Sequence, residues 1–261
     1  MGSNEMSRAS AERVLSMIDL TNLNDVCTEH DVHELCEQAL GHGTDHGTTA
    51  AVCLWASFVG QARRELTGST VHIATVVNFP DGSTDTQSVV AETQSALADG
   101  ADEIDLVFPY KAFAMGDVQT ASEQIGAVRA VVPEGASLKV ILETGELDDP
   151  DLIHSASHLA IEAGADFIKT STGKVAVNAT LEAARIMLTA IKESGKPVGF
   201  KPAGGIRTVE EAMEYLAVAD EIMGDGWATG ETFRFGASSL LGSVNAVLAG
   251  GSSEDADTSG Y

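Results

Sequence analysis

Two hydrophobic periods alternate along this chain. Short apolar runs rich in Val, Ile and Phe are bounded by Gly, Asp and Pro, the pattern of buried strands. They are expected at 49–54, 72–78, 103–108, 138–143, 167–170, 198–201, 221–223 and 233–236. Between most of them apolar positions recur every three or four residues, which gives a helix one buried stripe. Such helices are expected at 83–98, 118–131, 150–163, 181–193 and 209–218. Thr180 stands before the fourth, and Thr208 with Glu211 forms a capping-box pattern before the fifth. Gly-Ala-Asp recurs at 100–102 and 164–166, just ahead of two strands, where glycine suits a left-handed helix C-cap.

Eight strand–helix units in this order imply an α/β fold, a closed TIM (β/α)8 barrel, with an extra helical region ahead of the first strand. A doubly wound open sheet competes, but no Gly-x-Gly-x-x-Gly follows the first strand. The domain reading is a flexible N-terminus at 1–10, one barrel at 11–249, and a mobile acidic tail at 250–261 ending in Tyr261.

Composition narrows the function. An apolar fraction of 44% is ample for a core, and no apolar run reaches the length of a membrane span. The polar start of the chain lacks the apolar stretch of a signal peptide. Cys27, Cys36 and Cys53 show no metal or disulfide spacing, so a reduced, cytoplasmic setting is expected. A net charge of −24 argues against nucleic acid as a partner.

Against that acidic background the cations stand out. The chain has 7 lysines among 261 residues. Two of them, Lys169 and Lys201, sit in apolar strands, where a lysine needs a partner or a task. A lysine beside another cation is pushed toward the neutral amine, and a neutral amine is a nucleophile. Inward positions toward the C-terminal strand ends, where such barrels keep their chemistry, are Cys53, Asn78, Asp105, Lys139, Glu143, Lys169 and Lys201. Lys139 reads as snorkelling at a strand start and Cys53 as a small buried hydrophobe. Two lysines with Asp105 nearby make a proton-transfer set.

A second group is Gly173-Lys174, Gly204-Gly205-Ile206-Arg207 and Gly236-Ala237-Ser238-Ser239, each just after an expected strand. Glycine admits backbone N–H groups close to an anion, and a helix N-terminus favours negative charge. A phosphate site is the reading. No metal is assigned. His154 and His158 share a helix face without a glutamate in the place a zinc hydrolase motif needs, and read as solvated. His42 and His46 lie in a glycine-rich loop.

The chain closely resembles the bacterial 2-deoxyribose-5-phosphate aldolases, which are class I, Schiff-base aldolases. The likeness runs from Met17-Ile18-Asp19-Leu20-Thr21 to Arg234-Phe235-Gly236-Ala237-Ser238-Ser239. Its most specific stretches are Asp105 to Tyr110, Gly164 to Lys174 and Gly199 to Gly205. The resemblance implies that Lys169 is the Schiff-base lysine and Lys201 the cation that keeps it neutral. Asp105 and Lys201 would move protons, with Asp19 in support and Tyr261 reaching the site from the tail. Thr172 would contact substrate hydroxyls. Gly173, Lys174, Gly204, Gly205, Arg207, Gly236, Ser238 and Ser239 would hold the phosphate. It implies a sugar phosphate and aldehydes as partners and a monomer or homodimer. No cofactor or metal is needed, because the protonated imine is the electron sink. A Schiff-base aldolase of a related sugar phosphate, or a non-catalytic sugar-phosphate-binding barrel, are the alternatives.

Overall fold

In the computed structural model, residues 3–251 are described, with side chains from Arg8 onward. Eight strands run β1 Ile18–Asn22, β2 Ala51–Leu54, β3 His72–Val77, β4 Glu103–Val107, β5 Ser137–Ile141, β6 Phe167–Lys169, β7 Gly199–Lys201 and β8 Phe235–Ala237. The helices are α1 Ser3–Leu15, α2 Glu29–Ala39, α3 Val59–Glu65, α4 Thr86–Ala98, α5 Tyr110–Ala114 and α6 Val118–Val131, followed by α7 Thr144–Leu147, α8 Pro150–Glu162, α9 Leu181–Ser194, α10 Val209–Met223 and α11 Leu240–Leu248. All the strand pairs are parallel, in the order β7-β6-β5-β4-β3-β2-β1-β8. The ends meet through single bridges, Phe200 with Phe233 and Ala203 with Gly236. This is the expected TIM barrel.

Two expected elements were placed wrongly. The expected strand at 221–223 is the last turn of α10, whose Ile222 and Met223 pack on the core before Gly224 ends the helix at φ 100°. Its place in the barrel belongs to β1, which sits inside the region expected to be helical. Inward-facing Asp19 interrupts the apolar run of β1, so the stretch lacks a strand signature. α1 occupies most of the segment expected to be a flexible N-terminus. Tyr261 and the tail from residue 252 lie outside the described residues.

The local signals explain the joints. Thr180 accepts from the Ala183 N–H, and Thr208 and Glu211 form the reciprocal capping box. The repeated Gly-Ala-Asp has a definite role. Arg63 of α3 and Arg129 of α6 lie against Gly100 and Gly164, both left-handed, where a Cβ would approach the arginine side chain to 3.1 and 3.0 Å. The same arginines donate to Asp102 and Asp166 at 2.6 Å. Each aspartate then accepts the backbone N–H that opens the preceding strand, Ile73 at 2.9 Å and Leu138 at 2.8 Å. The motif thus ties a helix to two adjacent strands.

Inside the barrel the two sides differ. Cys53, Ala74 and Val76 of β2 and β3 form with Leu23 a small apolar cluster apart from the main core. On β4 to β7 and β1 the buried positions include Asp19, Glu103, Asp105, Lys139, Lys169 and Lys201.

Candidate active site

Lys169 and Lys201 are register partners on adjacent strands. Strand alternation points both side chains into the barrel, where each donates to the same oxygen of Asp105, at 2.8 Å. The other Asp105 oxygen accepts from Lys139 at 2.9 Å. Asp105 lies directly across from Lys139 in the β4–β5 register. Below them the network continues. Lys201 donates to Asp19 at 2.5 Å, and Arg234 donates to Asp19 at 2.8 Å and to Glu103 at 3.0 Å. Lys139 closes the circuit onto Glu103 at 2.5 Å.

Four cations therefore meet three carboxylates in the dry interior. Burial alone would raise the carboxyls and discharge the lysines. The pairings outweigh it. For Asp105, burial pushes upward, but Lys139, Lys169 and Lys201 hold the carboxyl well below its usual range. For Asp19, Lys201, Arg234 and Lys139 overcome burial in the same direction. Lys201 is held above the ordinary lysine range because Asp105 and Asp19 outweigh its desolvation. Lys139 is raised likewise by Asp105 and Glu103. Lys169 differs in its surroundings. It has one carboxylate partner, Asp105, where Lys201 has two and Lys139 three. Lys169 is also the network member that lines the open cavity above.

That cavity, about 430 Å³, opens at the C-terminal ends of the strands. Its wall gathers the glycine segments after β6 and β7 and Gly236 within β8, with Thr172, Arg207, Ser238 and Ser239. Gly204 adopts φ 84°, and a Cβ there would come within 2.8 Å of the Asn178 Cβ, so this backbone position requires glycine. Ser238 and Ser239 are exposed at the N-terminus of α11, where backbone N–H groups and the helix dipole favour an anion.

A match to the family model described as DeoC/LacD family aldolase covers residues 13–244. The chain belongs to this family. A deoxyribose-phosphate aldolase of Agrobacterium fabrum is 57% identical over 255 residues, 97% of each chain. Among solved structures, a Toxoplasma gondii ME49 protein provisionally named a deoxyribose-phosphate aldolase is 25% identical, with a TM-score of 0.84 over 97% of this chain and 99% of that one. The tetrameric deoxyribose phosphate aldolase of Aeropyrum pernix shares the fold at 22% identity, with a TM-score of 0.74 over 95% and 100% of the two chains.

The positions expected from the resemblance to DeoC-type aldolases fall into three groups. Lys169, Lys201, Asp105 and Asp19 lie in the buried network. Gly173, Gly204, Gly205, Arg207, Gly236, Ser238 and Ser239 line one cavity. Arg207 is exposed, and its backbone N–H donates to Glu211 at 2.7 Å while its guanidinium has no hydrogen-bond partner among the described residues. Lys174 and Thr172 line the cavity too but are already engaged. The Lys174 ammonium donates to the Leu23 carbonyl at 2.8 Å and approaches Asp25 at 3.3 Å. The Thr172 hydroxyl donates to Glu143 at 2.6 Å, and the Thr172 N–H donates to the other Glu143 oxygen at 3.1 Å.

Three residues gain importance beyond the sequence reading. Lys139 does not snorkel: it is fully buried and completes the network, because Glu103 and Asp105 meet it inside the barrel. Glu103 and Arg234 had escaped notice, although Glu103 stands two residues before Asp105 and so shares its face. Cys53 is fully buried, in keeping with a small hydrophobe.

Proposed function

We propose that the chain reversibly cleaves 2-deoxy-D-ribose 5-phosphate to D-glyceraldehyde 3-phosphate and acetaldehyde, through a Schiff base on Lys169. One observation carries the reading: a lysine on the floor of an open cavity shares one carboxylate oxygen with a second lysine, whose ammonium form Asp105 and Asp19 favour over its desolvation. Lys169 is also the lysine of the network with the fewest carboxylate partners, one against two for Lys201 and three for Lys139.

The steps follow from the positions. The Lys169 amine adds to the C1 aldehyde of the ring-opened sugar. The carbinolamine takes a proton on its hydroxyl, loses water and becomes a protonated imine. Asp105 and Lys201, both within hydrogen-bond reach of that nitrogen or its carboxylate partner, move these protons, and Asp19 keeps Lys201 in place. Loss of the C3 hydroxyl proton breaks the C2–C3 bond, and its electron pair flows into the imine to give an enamine. Glyceraldehyde 3-phosphate departs with its phosphate. Protonation at C2 and addition of water release acetaldehyde and restore the amine.

The phosphate would rest on the backbone N–H groups of Gly173 and Gly205 and of the start of α11, with the Arg207 guanidinium facing it. Gly173, Gly205, Ser238 and Ser239 serve this role directly, while Gly204 and Gly236, whose N–H groups donate to the Gly236 and Pro202 carbonyls, shape the wall around it. Lys174 serves it by fastening its loop to the β1–α2 connection. Thr172, held by Glu143, presents its side chain to the sugar. A cytoplasmic protein, acting as a monomer or homodimer, fits the reading; among the described residues no helix is long and apolar enough to cross a membrane.

Borohydride reduction in the presence of acetaldehyde tests it. Acetaldehyde should leave an ethyl group on Lys169, located by peptide mass spectrometry. Failure to label Lys169 refutes the Schiff base. A preference for dihydroxyacetone phosphate over acetaldehyde as donor refutes the substrate.

A further inference from the structure

The pair His154 and His158 reads from sequence as a solvated helix face, for want of a third ligand. The fold supplies one. Glu193, in the last turn of α9, faces both rings across the α8–α9 junction. The Glu193 Oε2 atom lies 2.8 Å from His154 Nε2 and 3.2 Å from His158 Nε2. The three atoms all fall within 4.8 Å of one another. The rings themselves are packed edge to face, with centroids 4.6 Å apart, and both Nε2 atoms meet the same Glu193 oxygen.

These separations match a metal triangle. Zinc binds imidazole nitrogen and carboxylate oxygen at about 2.0–2.2 Å, and tetrahedral angles then place ligand atoms roughly 3.3 Å apart. The oxygen–nitrogen distances of 2.8 and 3.2 Å need to open by about half an ångström or less, and the nitrogen–nitrogen edge lies within 4.8 Å, so small rotations of the exposed side chains suffice. The side chains keep 41%, 32% and 52% exposure, so an ion can enter and a water can take the fourth position. Two imidazoles with one carboxylate suit zinc, copper or nickel and are a poor match for magnesium or calcium.

We propose that His154 and His158 of α8 and Glu193 of α9 form a binding site for a borderline divalent transition metal, zinc being the reference ion. The site lies on the outer wall, away from the cavity floor. It joins the two helices that precede and follow β6, the strand that carries Lys169. The neighbouring contact between Glu162 and Lys196, at 2.8 Å, already ties the end of α8 to the chain just past α9. A bound ion would add a clamp one turn away.

The experiment uses the tag-free full chain, stripped with a chelator and titrated with zinc chloride by calorimetry. One saturable site of micromolar affinity is expected. His158→Ala and Glu193→Gln should each weaken it by more than the roughly tenfold seen when an outer-shell partner of a metal site is lost. Zinc should also raise the thermal midpoint of the parent chain and leave that of Glu193→Gln unmoved. No saturable heat overturns the proposal. So does equal zinc affinity in the variants, which would put the ion elsewhere on the acidic surface, or equal affinity for magnesium chloride, which would mean unselective counterion binding. Tight zinc binding without a rise in midpoint overturns the clamp.

Discussion

Asp105→Asn keeps the shape of the side chain and removes the charge at the centre of the network. In the parent, its two oxygens accept from Lys139 at 2.9 Å and from Lys169 and Lys201 at 2.8 Å. The amide offers one acceptor oxygen, and its NH2 group meets an ammonium donor. Four buried cations are then left with Asp19 and Glu103. Removing one partner of a buried ion pair costs roughly 3–5 kcal/mol. The sign with pH follows from the depressed Asp105 carboxyl: its contribution is complete above the ordinary carboxylate value, about 3.9. It is lost as pH falls toward the lower native value. Urea unfolding at pH 7 should therefore show a loss of about 3–5 kcal/mol, and the gap to the parent should narrow below roughly pH 4. Turnover should drop by about 10²–10⁴, the usual worth of a positioned proton-transfer group. The Lys169 amine remains, so borohydride with acetaldehyde should still label it, more slowly. Unfolding at the same urea concentration as the parent at pH 7 would refute the electrostatic account, and near-normal turnover would refute the catalytic one.

Three further perturbations separate the parts of the site. Lys201→Met should stay folded by circular dichroism yet lose turnover by about 10²–10⁴; activity close to the parent would remove Lys201 from the proton path. Arg207→Gln should raise KM for the phosphorylated sugar several-fold and leave the unphosphorylated sugar unaffected, since its guanidinium has no other partner among the described residues; an unchanged preference would exclude it from the phosphate site. Glu143→Gln leaves one Thr172 donor facing an amide NH2 group, so a loss of about 1–3 kcal/mol in unfolding free energy and a raised KM are expected; a parent-like variant would show that the Thr172 clamp is dispensable.

The sequence disclosed the barrel because its strands and helices carry different hydrophobic periods, and the glycine loops because anion-binding backbone needs glycine. Lys169, Lys201 and Asp105 were visible as charge where apolar residues belong. The same logic hid β1, since Asp19 breaks the apolar run that would have marked it. It also hid the lower half of the network. Glu103 stands at a strand start, where charge is ordinary, Lys139 reads as snorkelling, and only the closed barrel brings Arg234 to Glu103 across 131 positions of sequence. Glu193 was out of reach for the same reason, being 35 residues from His158. The strand expected at 221–223 reflects an apolar helix end packed on the core, which a short window cannot tell from a strand.

The barrel closes unevenly. Seven of its joints are continuous ladders, while β7 and β8 are laced by isolated bridges at Phe200 with Phe233 and Ala203 with Gly236. The Phe200, Arg234, Gly236 and Gly204 amides donate across this seam but belong to no continuous ladder, so in native-state hydrogen exchange they should exchange ahead of those in β3 and β4. The loops beyond β7 and β8 are two of the three that would grip the phosphate. A bound sugar phosphate would thus stitch the weakest edge of the cylinder, and slowing of those amides on ligand addition would report occupancy without any turnover.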